Sequence, residues 1–460
     1  MANELELFLE ASEKKAFDAE HRKTLRYNIA QYDKKVVEGK EQFSNHELAR
    51  TRAAATKQKS IDNLEKYLIE FEAAFIKRGG KVIWAQDAEE AVKESLQIMK
   101  KANAKTVVKA KSMTTEEVHF NEELEKEGIE SIETDLGEYI VQLRNEAPYH
   151  IVTPAMHLSK EEVAKTFNEK KGTPLNYTPE QITDYVRMQL REKYTKAEVG
   201  VSGGNFLIAD VGAVAVSENE GNGLMSTAFP KVQIAIVGIE KIIPSITDLE
   251  LFWPLLATHG TGQQMTVYNT IYTGPKQQGE TDGPDEMYVI LLDNGRSTLL
   301  AETEQRRALS CIRCGACLNA CPVYQTIGGH SYGTTYSGPI GSIITPHFQG
   351  MEEFKHLSYA STLCGKCTEV CPVKIDIHKL LLLNRKQSID KGLSTKTENW
   401  TWHFWKKAML KRSKMDKGGA KIKNFMLKQF FKKQWGERRD LPEVAQKSFN
   451  QIWRERKGIK

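Results

Sequence analysis

Seven cysteines in a chain of 460 residues fall in two short runs, and their spacing is that of a metal centre. Residues 311–322 read CIRCGACLNACP, with Cys311, Cys314, Cys317 and Cys321 ahead of Pro322. Residues 361–372 read STLCGKCTEVCP, with Cys364, Cys367 and Cys371 ahead of Pro372. The C-x2-C-x2-C-x3-C-P run is that of bacterial ferredoxins. Its two-residue gaps let a tight loop turn three successive thiolates onto one iron–sulfur cluster, while the fourth cysteine reaches a second cluster. Applied here, the rule assigns Cys311, Cys314, Cys317 and Cys371 to cluster 1, and Cys321, Cys364 and Cys367 to cluster 2. The position that would complete cluster 2 is Ser361. Serine oxygen is harder than thiolate and a poorer iron ligand, so two arrangements stay open. One is a cubane whose fourth iron takes oxygen from Ser361 or water; the other is a three-iron cluster needing three cysteines. The expected cofactors are two 4Fe-4S clusters, the second of them labile. Structural zinc also uses paired cysteines, but it takes four ligands per ion and gives no reason for the Cys-Pro endings.

No cysteine is left elsewhere for a disulfide framework, which points to a reducing compartment. The opening MANELELFLEASEKK lacks the basic and apolar regions of a secretion signal, and apolar runs such as VQIAIVGI are far short of a membrane span. A cytoplasmic protein is expected. The length calls for two or three domains. Charge is uneven: residues 391–460 hold 20 Lys and Arg against 6 Asp and Glu, a net of +14, which leaves −9 for the first 390.

Several elements must hold the cysteines in place. Residues 1–70 read as a helical N-terminal arm, ending in a helix with Leu64, Leu68, Phe71, Phe75 and Ile76 at helical spacing and Gly79 as its stop. Residues 71–298 alternate strand and helix: KVIWA, a helix opened by Asp87, TVVKAK, a helix with Thr114 and Glu117 as its capping pair, and IESIETD. SKEE at 159–162 and TPEQ at 178–181 mark two more helix starts. This alternation implies an α/β domain with a largely parallel sheet. In VGVSGGNFLIADVGAVAVSENEGNG the apolar runs lie too close together for crossover helices, so they are expected as hairpins inserted in that sheet. Residues 299–388 form the two-cluster domain, in which HSYGTTYSGPIGSIITPHFQG, rich in Gly, Ser, Thr and Tyr, is expected as a loop. Residues 389–460 form a basic helical tail interleaved with Trp400, Trp402, Trp405, Phe430, Phe431 and Trp435.

Taken together, KSMTTEEVHFNEELEKEGIESIETDLGEYIVQL, PYHIVTPAMH, GVSGGNFLIADVGAVAVSENEGNG, GIEKIIPS and the two cysteine motifs, in this order, resemble the lactate utilization protein B family over nearly the whole chain. That family supplies the iron–sulfur subunit of an L-lactate-oxidising system of three proteins. The resemblance implies a lactate-utilisation (LUD) domain similar in fold to sugar-isomerase and CoA-transferase-like α/β proteins, followed by an α-helical ferredoxin-type domain. It also implies electron relay while lactate becomes pyruvate. The family's second motif is likewise one cysteine short and is read as a four-iron site.

Residues at the expected strand ends, where open α/β sheets bind ligands, are the remaining candidates: Lys111, Ser112, Asp135, Glu138, His150, Ser202, Gly203, Gly204, Asn205, Asp210, Gly212 and the loop from Glu218 through Glu220 to Asn222. For a hydroxy acid, Lys111 would pair with the carboxylate and His150 would take the proton, with Asp135 and Glu220 as further catalytic candidates. Each also has a plain reading as a turn residue or a satisfied core residue. No dinucleotide fingerprint occurs, so nicotinamide is not supported; a flavin stays open. Lactate gives up two electrons and a cluster accepts one, so an electron-carrying subunit is expected rather than a complete dehydrogenase. Two rival functions stay open: that the chain itself binds and oxidises the hydroxy acid, or that it is a redox-sensing nucleic-acid protein. For the tail, docking on an acidic partner subunit or on the acidic remainder of this chain is favoured over peripheral contact with the inner face of the membrane and over nucleic acid.

Overall fold

Polar caps start the N-terminal helices at the places where apolar periodicity begins. Asn3 opens Glu4–Ala16 through a reciprocal pair with Glu6, Asp18 caps Ala19–Lys40, and Asn45 caps His46–Asp62. Leu64–Lys77 follows, burying Leu64, Leu68, Phe71 and Phe75, and the chain turns away at Gly79 with φ 88°. The computed structural model describes residues 3–415, 419–436 and 440–458; it divides into two compact units, 1–388 and 389–460.

Among the described residues, ten strands follow the arm: β1 (Lys81–Ala85), β2 (Thr106–Lys109), β3 (Glu130–Glu133), β4 (Val199–Ser202), β5 (Phe206–Ile208), β6 (Ala213–Glu218), β7 (Val232–Gly238), β8 (Ile242–Ile243), β9 (Tyr268–Tyr272) and β10 (Glu286–Leu292). Six of them form a wholly parallel sheet in the order β1-β10-β7-β4-β2-β3. Helices cover it, among them Ala88–Lys101, Leu136–Arg144 and Pro179–Lys196, so its central strands are mostly apolar, with Lys109, Ser202 and Gln233 as buried polar exceptions. The capping expectations hold at Asp87, Ser159 and Thr178, each of which accepts from the N–H three residues on.

Three expectations are corrected. The hairpin β5–β6 is not inserted in the parallel sheet but belongs to a second, four-stranded sheet in the order β8-β5-β6-β9. The chain leaves β4 through Gly203 and Gly204, where a Cβ would lie 2.5 Å from Ser112 Oγ and 2.8 Å from Val214 Cγ1 respectively. Only glycine allows so close a turn out of the first sheet. The helix Met113–Glu117 is capped by Ser112 rather than by Thr114, and Glu117 faces the interior instead of returning to a cap. Part of the segment expected as a loop is the helix Gly338–Phe348, with Pro339 in its first turn. Burial of Ile340, Ile343 and Ile344 outweighs a composition that reads as loop.

The arm and the cysteine region share one core. Leu25, Ile29, Ala53 and Ile61 pack in the same apolar cluster as Cys314, Cys317, Ile340, Ile343, Ile377 and Leu381. In the unit 389–460, the helices Lys396–Met409, Gly419–Phe430 and Phe449–Lys457 bury no residue and expose Trp400, Trp402, Trp405, Phe430 and Trp453. Residues 416–418 and 437–439 of the basic tail lie outside the described residues. Among those described, no helix is long and apolar enough to cross a membrane.

Candidate metal centre

The two cysteine loops share one backbone design. In the first, Arg313 takes a left-handed φ of 59° and its N–H donates to Cys311 Sγ at 3.3 Å; Gly315, at φ 78°, then opens the one-turn helix Ala316–Asn319. In the second, Leu363 takes φ 55°, Gly365 takes φ 80°, and the helix is Lys366–Glu369. Left-handed conformations at non-glycine residues are uncommon, and their recurrence two residues after the first motif position marks a true structural repeat. Cys311, Cys314, Cys317 and Cys371 line one apolar cavity together with Ile151, Ile312, Ile340, Ile375 and Ile377. The fourth of these thiols thus comes from the other motif. Cys321, Cys364 and Cys367 form the second group: burial pushes the Cys367 thiol up to about 11, and the nearby Cys321 and Cys364 push it the same way. Cys364 is exposed, whereas Cys314, Cys317, Cys321, Cys367 and Cys371 are buried.

This donor set suits iron–sulfur clusters. As bare thiols Cys314 and Cys317 hold their protons, since burial raises both far above the usual range and the neighbouring sulfurs add to the effect. Converging thiolates in an apolar cavity need a cationic centre to offset their charge. Backbone N–H groups already point at sulfur, from Arg313 to Cys311 and from Ile375 to Cys371 at 3.4 Å. When bound, such a cluster supplies one-electron transfer.

Cations lie near the first group, Lys57 and Lys241 buried and Arg307 and Arg313 half-buried. Lys57, Lys241 and Arg313 all interact with Cys311, while Arg307 interacts with Cys371. Arg50 donates to the Cys371 carbonyl at 2.8 Å. Burial pushes the Lys57 ammonium down to about 7 and Lys241 to about 8. Arg313 stacks over Tyr336 at 4.3 Å and reaches Glu240 at 3.5 Å. From there a chain of ion pairs runs back into the α/β domain: Glu240 bonds Arg296 Nε, and Arg296 holds both Glu117 oxygens at 2.8 Å. Tyr336 Oη donates to Glu117 at 2.6 Å. Opposite charges and hydrogen bonds more than offset the burial cost at both carboxylates, holding Glu117 low and Glu240 at about 2.

His150 lies beneath the first cysteine loop: a Cβ on Gly315 would stand 3.0 Å from His150 Cε1. Its Nδ1 accepts from the N–H groups of Val152 and Thr153 at 3.1 and 3.2 Å, which leaves the proton on Nε2. Burial, helped by Lys111, pushes the imidazole down to about 3. A ring so closed to solvent is no base for a diffusing hydroxy acid, and that expectation is corrected.

The other candidates gather at the carboxyl ends of β2, β3 and β4. Lys111 Nζ donates to the Val152 carbonyl at 2.6 Å, Asp135 caps the helix Leu136–Arg144, and Glu220 accepts from Leu136 N–H at 3.0 Å. Loss of water and the neighbouring Asp135 raise Glu220 to about 7. Glu218 accepts from Gly223 and Leu224, and Asn222 donates to Thr134 Oγ1 at 3.4 Å. Ser202 hydrogen-bonds the Gln233 amide, Asn205 accepts from Ser217, Asp210 accepts from Ile246, and Gly212 packs against Phe75; these four are structural. Glu138 is buried with Glu133 and Glu116 around the Lys109 ammonium rather than facing the cleft.

Residues 68–292 match the LUD domain family, and residues 307–375 match the 4Fe-4S dicluster domain family. A lactate utilization protein B of Bacillus velezensis is 46% identical over 356 residues, 77% of this chain and 75% of its own. That of Oceanobacillus iheyensis is 40% identical over 432 residues, 91% and 90% of the two chains. The chain belongs to the lactate utilization protein B family. The counterpart in Bacillus subtilis strain 168 is 45% identical and covers 77% of this chain and 74% of its own. A crystal structure of a DUF162 family protein from Deinococcus radiodurans aligns over 50% of this chain and 98% of its own, at 12% identity and a TM-score of 0.29, and nothing rests on so distant a likeness. The sequence alone did not mark Lys57, Lys109, Glu117, Glu240, Lys241 and Arg296 as buried charges, nor the largely covered Arg313. One signal was present: Lys109 in TVVK and Glu240-Lys241 in GIEKII interrupt apolar runs where a charge requires a partner.

Proposed function

We propose that this chain is the iron–sulfur electron-transfer subunit of a system that oxidises L-lactate to pyruvate, and not by itself a complete dehydrogenase. The observation that carries this reading is the single cavity lined by Cys311, Cys314, Cys317 and Cys371, drawn from both motifs. Cluster 1 would sit on those four, and cluster 2 on Cys321, Cys364 and Cys367. Oxidation of lactate releases two electrons and two protons, which a partner subunit with a two-electron cofactor would accept first; this chain then carries the electrons singly. The depth of the first cavity and the exposure of Cys364 make the second loop the side open to a redox partner. The basic, tryptophan-bearing tail would dock on an acidic surface of another subunit of the system.

The experiment is anaerobic purification with iron and sulfide analysis and electron paramagnetic resonance on reduction. About eight iron and eight sulfide per chain are expected for two cubanes. Cys311→Ser and Cys371→Ser should remove the same signal, and Cys321→Ser the other. A colourless protein, or Cys371→Ser grouping with Cys321→Ser, refutes the assignment. A second reading, in which this chain itself holds the hydroxy acid, draws on the convergence of Lys111, Asp135 and Glu220 at the strand ends. Dye reduction by the isolated chain on adding lactate would establish it.

A further inference from the structure

The repeat between the two loops extends to the atom that differs. In the first loop, the N–H of the residue at motif position three, Arg313, donates to the side-chain atom of position one, Cys311 Sγ, at 3.3 Å. In the second, the N–H of Leu363 donates to Ser361 Oγ at 3.1 Å. The backbone conformations at the third and fifth positions match as well, with φ of 59° against 55° and 78° against 80°. Ser361 Oγ therefore holds, relative to Cys364 and Cys367, the place that Cys311 Sγ holds relative to Cys314 and Cys317. Since Cys311 faces the cavity it shares with Cys314 and Cys317, the same geometry turns Ser361 Oγ toward the site of Cys321, Cys364 and Cys367.

We propose that Ser361 Oγ is the fourth protein ligand of cluster 2, which gives that cluster three thiolates and one oxygen. This inference rests on the two-cluster reading above. Local structure prepares the residue for the task. Arg385 grips the backbone ahead of the motif, donating from Nε to the Ser358 carbonyl at 2.9 Å and from Nη2 to the Ser361 carbonyl at 3.5 Å, and its guanidinium lies over the Tyr359 ring at 4.9 Å. The position of Oγ is thus set by backbone contacts on both sides. The neighbouring hydroxyl, on Thr362, is turned to the Cys364 thiol. On binding, an oxygen–iron bond forms as a water leaves that iron, and the hydroxyl proton passes to solvent; no electron moves. Oxygen is a harder donor than sulfur, so one iron of cluster 2 differs chemically from the other three. It is also the iron most easily lost to oxidants.

The test uses full-length protein purified anaerobically as wild type, Ser361→Ala, Ser361→Cys and Thr362→Val, read by iron content, electron paramagnetic resonance and Mössbauer spectra of iron-enriched samples. The expected result is about eight irons in wild type, Thr362→Val and Ser361→Cys. Ser361→Ala should hold about seven, with an oxidised three-iron signal replacing that of cluster 2 while cluster 1 is unchanged. Ser361→Cys should abolish the distinct iron subspectrum and resist oxidative loss of iron. Ser361→Ala indistinguishable from wild type, a wild type that already holds a three-iron cluster, or loss of the iron in Thr362→Val would each overturn the serine assignment. The parent reading stands through all three results, because it fails only if the wild type binds no cluster or if Cys371→Ser groups with Cys321→Ser. The unchanged signal of cluster 1 serves as the folding control in every variant.

Discussion

Glu240 is the residue whose replacement gives the sharpest quantitative test of the buried ion pairs. It sits between Arg296 and Arg313 with its side chain 1% exposed, and its carboxyl is held at about 2 against an ordinary 4.5. Linkage converts a depression of that size into about 3 kcal/mol of native-state stability. The sign follows from the direction: the carboxylate favours the fold above its unfolded value near 4.5, and this contribution disappears as pH falls from there toward 2. Glu240→Gln keeps the shape and loses the charge. Urea unfolding followed by tryptophan fluorescence should therefore show a loss of about 3 kcal/mol at neutral pH. The loss should shrink as the pH falls through the acid range, because the wild type is then surrendering the same term. Arg296→Met should cost at least as much, about 3–5 kcal/mol, because it strands both Glu117 and Glu240 without their shared cation. A deficit in Glu240→Gln that is the same at acid and neutral pH would refute the electrostatic account and leave a packing defect in its place.

Two further outcomes follow from other parts of the molecule. Asp135→Asn retains the helix-capping oxygen but removes one of the causes that raise Glu220, so Glu220 should titrate below its wild-type value of about 7. A raised carboxyl works against the fold as pH climbs from about 4.5 through 7, so the urea midpoint of Asp135→Asn should decline less steeply over that interval; an unchanged slope would rule out the coupling. Deleting residues 391–460, which carry a net +14, should abolish salt-sensitive association with the partner subunits while leaving iron content unchanged. Retained association in the truncated chain would show that the tail does not dock.

Local signals were legible wherever the chemistry is local. Spacing alone grouped the cysteines that share the first cavity, and capping residues at Asp87, Ser159 and Thr178 located helix starts. What escaped depends on partners distant in sequence. Glu117 looked like half of a capping pair with Thr114 but meets Arg296, 179 positions away. His150 looked like a base at a strand end, and only the fold reveals that the first cysteine loop covers it. Gly338–Phe348 reads as loop by composition, yet Ile340, Ile343 and Ile344, buried along one face, hold it helical. The departure of β5 and β6 into their own sheet turns on the space beside Gly203 and Gly204, a quantity that a list of residue types does not contain.

The contact of Arg50 with the Cys371 carbonyl joins residues 321 positions apart. Translation at roughly 5–20 residues per second makes that separation a delay on the order of tens of seconds. Throughout it, the nascent arm is present without the piece that completes it, and from residue 317 to residue 371 the first cavity has three of its four thiols. Order of synthesis therefore sets when the four-thiol set is complete. The set is complete only once residue 371 has emerged and folded back onto the helix His46–Asp62, so a chain truncated or stalled before it presents an incomplete cysteine set.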